Sequence, residues 1–253
     1  MTPDESRKLH YGSGMGMLGF LKPAHIGWTL GNLRDAAIDK LRGSAPRPEQ
    51  ARLHVEAHAT RGDPASVLAA LDDFARNRRF LMNVGPEKGQ LLEAEVDRAG
   101  PKARILELGC YCGYSAILMA RRLGAGGSVL SIEKSGHSVR AARAIIDFAG
   151  LSHAVEVRQG ASGDCIPQLE AHFDLIFLDH WKDLYEADLR AIEAKQLLRP
   201  GSVIFADNVG PLFNPDDYLR YVRECGHYDS RSEESHIEYT QLPDRAEISV
   251  FRG

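Results

Sequence analysis

From Arg104 onward, short apolar runs alternate with stretches whose apolar positions recur at helical spacing. The runs at 104–108, 128–133, 155–158, 175–179 and 202–207 are rich in Ile, Leu, Val and Phe and predict strands buried on both faces. Between them, 114–123, 138–148, 163–171 and 184–198 predict helices that stop at Gly124, at Gly150 or before Pro200-Gly201. Such alternation implies an α/β fold with a parallel sheet covered on both faces, because parallel neighbours need a right-handed crossover. Ligands then bind at the carboxyl ends of the strands. Ahead of this region, 44–50 with Pro46 and Pro48 predicts a linker, and 51–59 and 64–76 predict helices separated by Gly62, Asp63 and Pro64. A helix at 215–223 and strands at 228–233 and 247–252 complete the pattern, which contains no internal repeat.

Composition narrows the reading. At 253 residues, 43% hydrophobic and 26% charged, the chain suffices for one large α/β domain. The net charge of −4, with both signs interspersed, offers no basic stripe and argues against a nucleic-acid partner. Cys110, Cys112, Cys165 and Cys225 show no zinc spacing and fit a reducing, cytoplasmic setting. Residues 14–33 are fairly apolar, but Lys22, Pro23, His25 and five glycines break them short of the ~20 apolar residues a spanning helix needs. The expectation is an N-terminal appendage packed on its own domain or on a second subunit. The alternative is shallow membrane-surface contact through Met15, Met17, Leu18, Phe20 and Trp28.

Candidate chemistry begins at Glu107-Leu108-Gly109-Cys110-Tyr111-Cys112-Gly113-Tyr114-Ser115, which follows the first strand and opens a helix. Its two glycines let backbone approach a ligand at the helix start. The third glycine of a dinucleotide loop is missing, and Glu107 suits a cationic ligand such as S-adenosylmethionine where a pyrophosphate would be repelled. Glu133, 24 residues after Gly109 at the end of the second strand, can accept from two ribose hydroxyls. Taken alone, the loop leaves three readings open: a methyl-donor site, a dinucleotide site or a structural turn. Gly160-Ala161-Ser162, closing the third strand, would lie beside the adenine, and Ser162 has a second reading as a helix cap.

Asp179 closes the fourth strand and Asp207-Asn208 the fifth, which brings three oxygen donors to one edge of the sheet. Hard oxygen donors suit Mg2+, and the ten histidines do not cluster as zinc would require. A lone Asp at a strand end is usually a helix cap; the coincidence of three donors on two strands points to a metal. Lys182, three residues past Asp179, has two readings: a surface lysine, or a base made easier to deprotonate by a neighbouring cation. His180 and Trp181 have apolar or stacking roles by default.

Taken together, the residues resemble the catechol O-methyltransferases. The resemblance is carried by Met82-Asn83-Val84-Gly85, Lys88-Gly89-Gln90, 107–115, Phe148-Ala149-Gly150, Gly160-Ala161-Ser162, 177–183, Ala206-Asp207-Asn208 and Ile237-Glu238-Tyr239. It covers roughly 27–253 and implies a Rossmann-like methyltransferase fold: a mostly parallel seven-stranded sheet with an antiparallel edge strand and helices on both faces. It divides the chain into an appendage and linker at 1–50 and a catalytic domain at 51–253. It implies that Val84, Glu107, Gly109, Tyr111, Ser115, Glu133, Gly160, Ser162, Asp179 and His180 contact S-adenosylmethionine, and that Asp179, Asp207 and Asn208 ligate Mg2+. Lys182 would be the general base, Glu238 would receive the second catechol hydroxyl, and Asn208, Phe80 and Trp181 would complete the substrate contacts. Two rivals stand beside this expectation: related enzymes for larger phenylpropanoid or flavonoid catechols, and a non-catalytic cofactor-binding scaffold. Two departures touch the substrate wall: Phe80 stands where the animal enzymes carry tryptophan, and the loop 209–215 is one residue longer.

Overall fold

The computed structural model describes residues 43–253 together with Arg34, Ile38 and Leu41; the expectation on residues 14–33 lies outside them. Helices α1 (Arg47–His58), α2 (Pro64–Asn77) and α3 (Gly85–Ala99) precede the alternating region. That region runs β1 (Arg104–Leu108), α4 (Tyr114–Ala120), β2 (Ser128–Glu133), α5 (Gly136–Phe148), β3 (Val155–Gln159), α6 (Ser162–Cys165), β4 (Leu175–Leu178), α7 (Tyr185–Ala194) and β5 (Val203–Ala206). Helix α8 (Asp216–Glu224) and strands β6 (Tyr228–His236) and β7 (Pro243–Phe251) close the chain.

The seven strands lie in the order β3-β2-β1-β4-β5-β7-β6. The first five are parallel, and β7 inserts antiparallel between β5 and β6 to finish one side of the sheet. Both faces are covered. Ile105, Leu175, Phe177 and Phe205 pack under the helices of one face, and Leu106, Leu108, Ile176, Leu178 and Ile204 under those of the other. Burial on both sides is why these strands are continuous apolar runs. Edge strand β6 carries Arg231, Glu233 and Glu234, charges that discourage pairing with another chain. Among the described residues no helix is long and apolar enough to cross a membrane.

Several boundaries differ from the sequence pattern, each for a local reason. Helix α1 starts at Arg47, inside the predicted linker, with Pro48 in the first turn where its missing N–H costs nothing. Asp63 caps α2 as expected, accepting from Ala65 N at 3.0 Å and Ser66 N at 3.2 Å. The predicted helix at 163–171 is only the single turn α6 followed by a 3-10 turn at Ile166–Gln168, since Pro167 cannot donate. Helix α3 is absent from the pattern altogether. Its buried face includes Gly85, Lys88, Gly89 and Glu95, so two glycines and two charged residues interrupt the apolar period.

Strand order changes direction between β1 and β4, and in sheets of this kind the carboxyl ends at that point are where ligands bind. The ladder continues one residue past three strands: Gly109 N donates to Ile132 O, Asp179 N to Leu108 O and Asp207 N to Leu178 O, each at 2.9 Å. The strand ends carrying the candidate chemistry are thereby held in register.

Candidate active site

At the β1 end of the sheet, the loop after β1 turns through residues with positive φ: Gly109 at 100°, Tyr111 at 47° and Gly113 at 86°. Gly109 is required twice over. A Cβ there would lie 2.6 Å from Asp179 O and 2.9 Å from His180 N, so the loop rests directly on the backbone after β4. Glu107 lies fully buried beneath the loop and accepts from the hydroxyls of Ser115 and Ser131. Burial pushes its carboxyl up to about 7, against the pull of those two hydroxyls. Glu133 accepts from Tyr111 N at 3.0 Å and Ser135 N at 2.7 Å, which ties the loop to the end of β2. Gly160 makes room for Cys165, whose Sγ would sit 2.4 Å from a Cβ. The cap of α6 is Ala161, with Ser162 its first residue, so the capping reading of Ser162 is not realised. Val84 is buried and heads α3.

At the neighbouring β4 end, Tyr185 OH donates to Leu178 O at 2.8 Å and Asp207 O at 3.0 Å, which staples β4 to β5 below the site. His180 Nε2 pairs with Asp188 Oδ2 at 2.8 Å and its Nδ1 is buried without a partner. Lys182 Nζ donates to Asp179 Oδ1 at 3.1 Å and lies 5.2 Å from the Tyr185 ring centroid and 5.8 Å from that of Phe213. Trp181 is 64% exposed.

At the end of β5, Asp207 Oδ1 accepts from Asn208 N at 2.7 Å and pairs with Lys88 Nζ at 2.6 Å. Asn208, at φ 51°, donates through Nδ2 to Glu238 Oε1 at 3.0 Å and Asp244 Oδ2 at 2.9 Å. Three buried oxygens are left without a hydrogen-bond partner: Asp207 Oδ2, Asn208 Oδ1 and Glu238 Oε2. Lys88, 1% exposed, also pairs with Glu238 at 2.7 Å and Asp244 at 2.6 Å. Burial pulls this lysine down, but the three carboxylates outweigh it and hold it well above its ordinary value. The same burial raises Asp207 and Glu238. Asp207, Glu238 and Asp244 are close enough to hold a metal, yet Lys88 already stands among them as the cation.

Residues 59–224 match the model of the O-methyltransferase family. The chain belongs to that family. It is 45% identical to catechol O-methyltransferase B of Danio rerio over 87% of its own length and 84% of the relative's. It is 38% identical to the catechol O-methyltransferase of Mus musculus over 90% and 89% of the two chains. Among solved structures, an O-methyltransferase from Bacillus cereus in complex with SAH superposes with a TM-score of 0.62, at 25% identity over 87% and 98% of the chains. Phe80 packs against the small cluster of Leu212, Phe213, Ile237 and Leu242, so the two places where the sequence is expected to depart from its relatives, Phe80 and the 209–215 loop, meet.

Sequence reasoning quoted Lys88 without a role and missed Asp244. Neither type of residue signals burial by itself. The available clue was the pair of glycines on either side of Lys88 in α3: a Cβ at Gly89 would lie 2.8 Å from Leu118 Cδ1 of α4, and one at Gly85 would lie 3.1 Å from Glu238 Cγ.

Proposed function

We propose that this methyltransferase moves a methyl group from S-adenosylmethionine to one hydroxyl of a catechol, with Mg2+ held by Asp179, Asp207 and Asn208. The observation that carries the reading is the set of buried, unpartnered oxygens on Asp207, Asn208 and Glu238. Leaving such oxygens bare is costly, and a hard cation and a hydroxyl are the partners they lack. The charge fits as well, since one lysine among three carboxylates leaves two negative charges for a divalent ion. Magnesium held by Asp179, Asp207 and Asn208 would supply positive charge that favours the ionised form of the catechol.

The chain's own residues supply the rest. Lys182 Nζ takes the proton of the reacting hydroxyl, and Asp179 Oδ1, accepting at 3.1 Å, orients it. Glu238 Oε2 accepts from the second hydroxyl, a contact that a lone phenol cannot make. Val84, Gly109, Tyr111, Ser115, Gly160, Ser162 and His180 surround the donor, with Glu107 below them, and Glu133 receives the ribose hydroxyls. Holding donor and acceptor in line supplies ~7–11 kcal/mol of the barrier. Phe80, Trp181 and the 209–215 loop form the wall around the ring substituents. Phe80 is smaller than the tryptophan of the animal enzymes, which supports bulkier catechols as further substrates.

The test is turnover of dopamine-like, caffeate-like and flavonoid catechols with S-adenosylmethionine and Mg2+, reading product regiochemistry. Methylation of at least one catechol, stopped by chelation, is expected. No product from any of them, or turnover that survives complete chelation, sinks the reading.

A further inference from the structure

We infer that Lys88 and Asp244, from outside the donor set, fix the affinity of the site for its divalent cation by holding Asn208 and Asp207 in the one orientation that leaves their donor oxygens free. The inference rests on the magnesium reading above. A carboxamide has two unlike ends, and only its oxygen coordinates a hard cation. Asn208 is turned oxygen-outward because both acceptors stand on its nitrogen side, Glu238 Oε1 at 3.0 Å and Asp244 Oδ2 at 2.9 Å. Glu238 is committed in part to substrate, so Asp244 is the acceptor that holds the amide without also facing substrate.

The same logic sets Asp207. Lys88 Nζ and Asn208 N both occupy Oδ1, and Oδ2 is what remains. Asp244 joins the two effects: its Oδ2 accepts from Lys88 at 2.6 Å as well as from Asn208, while its Oδ1 accepts from Gly210 N at 3.0 Å. Gly210 lies so close that a Cβ would sit 2.5 Å from Asp244 Oδ1, so only glycine lets its N–H reach and hold that carboxylate oxygen. Outer partners of this kind typically control metal affinity by roughly 10- to 100-fold.

The experiment is a Mn2+ titration of the full chain with saturating S-adenosylmethionine, following free aqueous Mn2+ by EPR with Mg2+ as competitor. Donor affinity is measured separately by calorimetry without metal. Asp244→Asn, which keeps the shape, is expected to weaken Mn2+ roughly 10- to 100-fold with donor affinity unchanged, and Lys88→Met to weaken it in the same direction. A folded Asp244→Asn with wild-type Mn2+ affinity overturns the inference, as does an equal loss of metal and donor binding, which marks general collapse. If Asp244→Asn does not fold, Lys88→Met decides by the same two criteria. Asp207→Ala separates the two levels: if it keeps wild-type Mn2+ affinity, the magnesium reading itself falls and the inference with it.

Discussion

Two acidic neighbourhoods lie side by side at the end of β5, and they treat cations in opposite ways. Around Lys88 the carboxylates of Asp207, Glu238 and Asp244 close on an ammonium the chain carries itself, at 2.6–2.7 Å. On the other side of two of the same residues, Asp207 Oδ2 and Glu238 Oε2 lack a hydrogen-bond partner, as does Asn208 Oδ1. By spacing alone the first group could hold a metal. By satisfaction it is already full. On the function proposed above, unmet hydrogen-bonding capacity on neighbouring strand ends, more than proximity of acids, marks where a cation would sit, because buried polar oxygens are rarely left without a partner.

The comparison breaks most sharply at Lys88. Lys88→Met leaves three buried carboxylates unpaired and should cost about 3–5 kcal/mol of folding stability, read from urea unfolding. Loss of less than 1 kcal/mol would show that the cage is not a structural unit. Lys182→Ala strikes the second neighbourhood instead, and the expected signature is reversed. Turnover should fall roughly 100- to 10,000-fold with folding stability and donor affinity nearly unchanged; a strong loss of donor binding contradicts the base assignment.

The smallest effect concerns Glu107, a buried acid satisfied by hydroxyls and not by a lysine. Its carboxyl stands at about 7 against an ordinary 4.5, so the folded state keeps this proton longer than the unfolded chain does. Its stabilising contribution is complete below 4.5 and is lost as pH rises toward 7. Glu107→Gln has no such proton to lose. Relative to wild type it should gain up to about 3 kcal/mol between about pH 5 and about pH 8, and a constant difference across that range would refute the buried-acid account.

Strands β1 and β2 were legible to the residue, because burial on both faces writes a short run dominated by Ile, Leu and Val, which Glu107 and Ser131 do not break up. The placement of Asp179, Asp207 and Asn208 at neighbouring strand ends was legible for a related reason: once the strands are placed, their ends are placed. Lys88 was not. A lysine on a helix reads as a solvated face, and only three partners distant in sequence show that it is interior. Helix α3 was hidden by the same residue, since the face it buries is partly charged. Asp244, near the start of β7, has the look of a turn residue and acquires its meaning from Asn208 and Gly210 across the sheet end.

Gly109 carries a consequence for how the two halves of the site stay matched. The loop that would cradle the donor and the segment that leads to Lys182 meet where a single absent carbon allows contact, 2.6 Å from Asp179 O. The spacing between the loop after β1 and the segment after β4 is therefore gauged by a hydrogen atom at position 109. A change in either segment that shifts this contact is passed to the other, so the two strand ends are expected to move as one unit.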